Sequence, residues 1–376
     1  MAGLYIHVPF CRKICSYCDF YKTTATSLMQ DYLFALDCEM TERAAYLEGE
    51  SLETIYFGGG TPSLIPVAGL QKIFERIYEN FRLEPDCEIT IEANPDDLSS
   101  TYLQVLRRST PVNRLSVGIQ SFSDHDLKLL NRRHNAKQAL QSIEDAKNAG
   151  FRNITIDLIY GLPDMDLSAW RENLEIAFLL EVQHLSAYHL TIEPNTAMAR
   201  MTSRGLIHLP EEGDSSEQFL LLNKLSGEHG FVHYEISNLA KNGYLSRHNS
   251  NYWKQKKYLG LGPSAHSFNL VSRQWNVSHI RRYLEAISTG SPYSESEILD
   301  AKTKFNEYLM LSLRTELGIS MSHIVHEFGR QVADSLKENI RLIGPTEWIR
   351  KQDDYIRLTA AGWMVSDYIV SRLIRD

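Results

Sequence analysis

The sequence predicts an α/β fold: six β–α repeats forming a parallel sheet, followed by a smaller, mostly helical region. Three observations carry that expectation. Short apolar runs rich in Ile, Val, Tyr and Thr alternate with longer segments of helical spacing over the first two thirds of the 376 residues. Glycine, proline and polar residues cluster just after those runs. From about Phe231 the alternation lapses, and helical spacing dominates the remainder.

Strands are expected at residues 4–8, 54–57, 88–92, 114–119, 154–160 and 185–191, each short and apolar as buried parallel strands are. Helices are expected between them at 28–47, 70–81, 102–107, 136–149 and 170–180. Asp97-Leu98-Ser99 before Tyr102 and Asp166-Leu167-Ser168 before Trp170 are start signals, and Gly150 suits a helix end. Parallel strands joined by helices demand right-handed crossovers. Periodicity leaves open whether the sheet stays flat or curls into a partial barrel. In either geometry the site belongs at the C-terminal ends of the strands.

A further strand is expected at 233–236, then a stretch of little periodicity at 247–268. Helices follow at 281–287, 301–314, 320–328, 332–339 and 360–375. Trp348-Ile349 and Tyr355-Ile356-Arg357 bracket Lys351-Gln352-Asp353-Asp354, a polar hairpin turn. Helices plus a small hairpin resemble a winged-helix module. The expected divisions are a core at 1–235, an extension at 236–290 and a C-terminal helical domain at 291–376.

Composition narrows the function. With 39 Lys+Arg against 47 Asp+Glu, the net charge of −8 argues against broad nucleic-acid coating. No apolar run approaches the roughly 20 residues of a membrane span. The first residues, MAGLYIHVPF, lack the basic and long apolar segments of a secretory signal, so the cytoplasm is the expected compartment. Three of the five cysteines, Cys11, Cys15 and Cys18, fall within eight residues, whereas Cys38 and Cys87 stand alone. An odd count with one dense cluster fits metal or redox chemistry better than a disulfide framework.

The Cys11-x-x-x-Cys15-x-x-Cys18 loop follows directly on a strand. Cubane iron–sulfur clusters usually take four thiolates, so three leave one iron open. Structural zinc is the competing reading, with His7 as a fourth ligand. Cys38 and Cys87 read as ordinary buried cysteines. Gly58-Gly59-Gly60-Thr61-Pro62 exposes bare backbone that can receive a small ligand's carboxylate or amine, though a tight turn uses the same residues. Glu92, Gln120, Arg132 and Asp157 fall at or just beyond strand ends. Singly each suits a surface or a cap; together they supply acceptors for a ribose or ammonium and a cation for a carboxylate.

These residues resemble the radical S-adenosylmethionine (SAM) enzymes, and within them the HemN/HemW branch. The resemblance rests on Tyr5-Ile6-His7-Val8-Pro9-Phe10-Cys11, the cysteine loop, GGGTPS at 58–63, Gln120, Asn131-Arg132 and Asp157-Leu158-Ile159-Tyr160-Gly161-Leu162-Pro163. It implies a partial (β/α)6 barrel with a 4Fe–4S cluster on Cys11, Cys15 and Cys18, and SAM on the open iron. It further implies that Tyr5, Tyr17, Gly60, Thr61, Glu92, Gln120, Arg132 and Asp157 line SAM-binding space.

Coproporphyrinogen dehydrogenases of this branch carry a fourth cysteine two residues after the third, where this chain has Phe20. The chain instead carries His248-Asn249-Ser250-Asn251-Tyr252-Trp253, the H-N-x-x-Y-W motif of the other side of the branch. Histidine is a common haem ligand, and Tyr252 and Trp253 can pack on a porphyrin. Lys254, Lys256 and Lys257 can meet propionates. The plain alternative is that His248 and Trp253 pack the barrel's edge beneath a solvated lysine run. The resemblance thus implies a haem chaperone that passes haem to apo-haemoproteins, the cluster and SAM regulating it or promoting a homodimer. The second reading is an oxygen-independent coproporphyrinogen III dehydrogenase, and the third a zinc-stapled binding protein.

Overall fold

A computed structural model describes residues 1–375. Six parallel strands form its centre: β1 (Ala2–Val8), β2 (Leu52–Gly59), β3 (Leu83–Ala93), β4 (Arg114–Gln120), β5 (Asn153–Tyr160) and β6 (His184–His189). Helices cross between them: α1 (Met29–Glu42), α2 (Val67–Asn80), α3 (Ser100–Ser109), α4 (Asp124–Leu129) with α5 (Ala136–Asn148), and α6 (Leu167–Leu179). Helix α2 shows why they adhere. Its buried Leu70, Ile73, Phe74 and Ile77 follow the i, i+3, i+4, i+7 spacing of one helix face. Each such side chain contributes about 2 kcal/mol on burial. Ser99 and Asp166 cap α3 and α6 as expected, and Gly150 turns the chain after α5 at φ +92°.

Strands β1 and β6 do not pair with each other, so the barrel stays open. After β6 come α7 (Ala197–Ser203) and α8 (Glu212–Glu228), then β7 (Phe231–Glu235) and β8 (Asn238–Lys241), which turn the sheet antiparallel beside β6. The aperiodic stretch 247–268 holds a short helix, α9 (Arg247–Trp253), and two strands, β9 (Tyr258–Leu261) and β10 (His266–Phe268). One and a half or two turns of helix leave too few positions to display a period. Strand β9 pairs in parallel with β1, so the chain returns to the opposite edge of the sheet. There β10, β11 (Ser272–Asn276) and β12 (Ser294–Ile298) complete twelve strands, with α10 (Ile280–Thr289) inserted before β12.

The remainder is helical with a three-stranded sheet. Helices α11 (Ala301–Ser312), α12 (Met321–Phe328) and α13 (Arg330–Leu342) surround β13 (Ile319–Ser320), β14 (Ile349–Gln352) and β15 (Tyr355–Leu358). The hairpin is tighter than expected. Lys351 and Gln352 are strand, and only Asp353 and Asp354 turn, with Asp353 at φ +51° as a two-residue loop requires. The expected helix at 360–375 is two, α14 (Ala360–Met364) and α15 (Ser366–Leu373). No helix among the described residues is long and apolar enough to cross a membrane.

Candidate functional site

The C-terminal ends of the barrel strands open on a cavity of about 640 Å³ whose lining includes Cys11, Cys15 and Cys18. The cysteine loop is pinned from both sides. Ser16 Oγ donates to the Leu129 carbonyl at 2.8 Å, and Asn131 Nδ2 to the Ile14 carbonyl at 2.7 Å. The Met198 amide of α7 donates to the Ser16 carbonyl at 2.8 Å. Asn131 itself sits at φ +58°, a left-handed position that asparagine tolerates.

Cys11 and Cys15 receive hydrogen bonds from across the cavity. Thr61 Oγ1 donates to Cys11 Sγ at 3.5 Å, and Arg132 Nη1 to Cys15 Sγ at 3.3 Å. Burial pushes the Cys11 and Cys18 thiols above their ordinary range, so the ligand-free loop keeps those protons until a metal displaces them. The same Arg132 donates to the Gly118 carbonyl at 2.6 Å and to Asn94, which in turn donates to Thr61 at 3.1 Å. Among the described residues no three His, Cys, Asp or Glu side chains converge where one metal ion could sit. A zinc staple needs that convergence. Thiolates on separate irons of a cubane need only face one cavity, so this donor set fits the cluster. His7 offers zinc no lone pair: Nδ1 lies 3.1 Å from the Tyr5 hydroxyl and Nε2 3.0 Å from the Tyr21 carbonyl.

Tyr17, Gly60, Thr61, Glu92, Gln120, Arg132 and Asp157 all line the cavity. Tyr5 does not; it lies beneath, stacked on Tyr56 at 6.2 Å between ring centres, and supports His7. Glu92 accepts from the Tyr56 hydroxyl at 2.8 Å and the Gly59 amide at 3.2 Å. Burial raises its carboxyl to about 7 and that of Asp157 to about 6. Both are poised to ionise when a cation arrives. Gly60 is required for a reason other than ligand space. A Cβ there would lie 2.7 Å from the Phe10 carbonyl oxygen and 2.9 Å from that of Val8. Its missing side chain lets β2 close against the cysteine loop.

The H-N-x-x-Y-W stretch is elsewhere. Helix α9 plugs the N-terminal end of the barrel, its first amides donating to the Glu88 carboxylate at 3.1 Å. His248 is 2% exposed, with Nδ1 2.8 Å from Thr54 Oγ1 and Nε2 3.0 Å from the Tyr252 hydroxyl. Its ring stacks on Tyr56 at 5.0 Å. With both nitrogens engaged, neither is open to an iron in this arrangement, and none of His248, Tyr252 and Trp253 lines the cavity. The geometry matches packing at the barrel floor rather than a presented ligand. Lys256 and Lys257 are likewise paired, with Glu53 at 2.5 Å and Glu48 at 2.6 Å. Cys87 is buried in β3, and Cys38 is half-buried on α1 rather than fully buried.

Other lining residues were not singled out from sequence: Lys13, Lys22, Tyr188, His189 and Glu193. Tyr188 and His189 end β6, and the strand-end rule pointed there, but an unremarkable YHLT string carries no motif.

Comparison with known proteins agrees with this geometry. The Radical SAM superfamily model matches residues 5–177, and the HemN C-terminal domain model matches 299–365. A Bacillus subtilis protein named heme chaperone HemW is 34% identical over 100% of both chains. One of the same name from Lactococcus lactis is 34% identical over 99% of this chain and 97% of its own. The solved structure of coproporphyrinogen III oxidase (HemN) from Escherichia coli superposes with a TM-score of 0.84, covering 99% of this chain and 90% of that one. At 23% identity that likeness shows the shared fold. Aligned end to end with such relatives, this chain belongs to the radical SAM superfamily, in the branch of HemN and HemW, and membership implies a 4Fe–4S cluster and SAM.

Proposed function

We propose that the chain is a haem chaperone, binding haem and passing it to apo-haemoproteins in the cytoplasm. The observation that carries this reading is the full-length likeness, at 34% identity, to proteins named heme chaperone HemW. Phe20 supports it. This side chain is 73% exposed at the cavity lining, where the dehydrogenases of the branch are expected to hold a fourth cysteine.

In this reading Cys11, Cys15 and Cys18 would hold the cluster, with SAM beside it in the same cavity. The cluster supplies an electron and an open coordination position when bound. The chain's own groups do the rest. Arg132 balances thiolate charge at Cys15 and offers a cation to a carboxylate. Glu92 and Asp157 accept hydrogen bonds from an ammonium or ribose, and Thr61 and Gln120 complete the polar wall. Tyr17 contributes an aromatic face, and Tyr5 holds His7 beneath. The core, extension and C-terminal region proposed at 1–235, 236–290 and 291–376 assign the cluster and SAM to the first.

The deciding experiment is a paired assay on anaerobically reconstituted protein. Haem binding and transfer to an apo-haemoprotein are followed beside coproporphyrinogen III decarboxylation with SAM and reductant. Near-stoichiometric haem with negligible decarboxylation is the expected result. Robust decarboxylation would establish the dehydrogenase instead. Particle size with and without SAM tests the homodimer.

A further inference from the structure

Whatever takes the haem iron needs an imidazole, a sulfur or a phenolate oxygen with a free lone pair facing space large enough for a macrocycle. Among the described residues, twelve of the thirteen histidines do not line the cavity, and His7, His134, His184 and His248 are buried away from it. His189 differs on every count. It ends β6, its side chain is exposed, and it is the histidine in the lining of the cavity. Among the described residues its ring nitrogens have no hydrogen-bond partner.

The ring is nonetheless held. It packs 5.2 Å from the Tyr160 ring. On its other contact lies Gly161, at φ +72°, where a Cβ would stand 2.7 Å from His189 Nε2. A side chain at this φ would be strained and would crowd the imidazole, so Nε2 packs on the turn after β5 and Nδ1 is the nitrogen left for a ligand. Partial desolvation lowers the imidazole's proton affinity and keeps it neutral near pH 7, the form that ligates.

The surroundings suit a flat apolar ring with acidic arms. Ile14 and Phe20, 44% and 73% exposed, line the same cavity, as does Tyr188 at 42%. Large apolar side chains left open beside a polar pocket mark a ligand or partner surface. Lys13 lines it too and makes no ion pair among the described residues, leaving a cation for a propionate. Asp19 and Glu193 share the lining and disfavour propionates on their own side.

We propose that His189 is the axial ligand to the haem iron, with the porphyrin resting on Ile14 and Phe20 and a propionate on Lys13. The inference rests on the chaperone reading and adds where the cargo sits: at the mouth of the cluster cavity, not at the barrel floor. Transfer then requires exchange of a single ligand at an open rim.

The test titrates haem into the full-length, reconstituted protein and its variants, reading the Soret band. His189→Ala should weaken binding at least about tenfold, since even outer-shell changes cost 10–100-fold in metal affinity. Added imidazole should restore haem that co-elutes with the protein on gel filtration, which a misfolded variant would not allow. SAM affinity should be unchanged. His326→Ala, on the exposed face of α12, should match wild type. Haem binding by His189→Ala equal to wild type would overturn the inference while leaving the chaperone reading intact. Loss of SAM binding along with haem would also overturn it, by making His189 a general site residue. A wild-type protein that binds no haem would refute the chaperone reading itself, and the inference with it.

Discussion

Replacing Glu92 by glutamine should make the ligand-free protein more stable at pH 8 while weakening its hold on SAM. The carboxyl of Glu92 is half-buried in the cavity wall, and burial raises it from 4.5 to about 7. A raised carboxyl binds its proton more tightly folded than unfolded, so the folded state holds more protons between those values. Stability therefore falls as pH rises from about 4.5 through about 7, and above that the full penalty applies. A shift of roughly 2.5 units corresponds to about 3 kcal/mol. The amide of glutamine carries no charge and escapes that penalty. It has, however, one acceptor oxygen for the two donors that Glu92 satisfies, the Tyr56 hydroxyl and the Gly59 amide. Leaving one poorly met costs about 1 kcal/mol. The net expectation is a gain of about 2 kcal/mol at pH 8, vanishing or reversing at pH 5, where the wild-type carboxyl is protonated. Thermal unfolding of both proteins at the two pH values measures it. If wild type and Glu92→Gln follow parallel pH dependences, the carboxylate is not the strained group that the geometry describes. The same substitution should reduce SAM affinity by calorimetry, because the acceptor for its ammonium or ribose has lost its charge.

Other expectations follow from the same geometry. Changing Cys11, Cys15 or Cys18 to Ala should abolish the broad visible absorption of the reconstituted cluster, while the Cys38 and Cys87 variants keep it; a Cys38→Ala protein without a cluster would break the open-iron argument. Gly60→Val should disturb the cysteine loop itself, since the new side chain meets the Val8–Phe10 backbone. Cluster content and unfolding midpoint should therefore fall together, and a stable variant that loses SAM alone would refute this. His248→Ala should lower the unfolding free energy by about 3 kcal/mol, from the cavity left at the barrel floor and the stranded Thr54 and Tyr252 hydroxyls. An unchanged midpoint would show that the floor is not held by this ring.

Local sequence determined the repeating part of this protein. The six central strands and the helices between them carry enough residues for periodicity and caps to identify them, and Ser99, Asp166 and Gly150 end their elements as their chemistry dictates. The strand-end rule located the cavity, and the cysteine spacing together with GGGTP named a minority of its lining. Tertiary structure decided what short or motif-free segments do. Strand β9 has four residues, and only its partner β1 reveals it as an extension of the parallel sheet. The role of Gly60 depends on the backbone of a loop some fifty residues earlier, which no local pattern encodes. His248 and His189 show the same division most clearly. The first stands in a recognisable motif yet folds to the barrel floor, where Thr54 and Tyr252 take both its nitrogens. The second stands in no motif, and is brought to the cavity because β6 ends there and Gly161 leaves it room. A hydrogen-bond partner or an open lone pair is a property of neighbours distant in sequence, so residue type alone could nominate a histidine but not distinguish a buried brace from an available ligand.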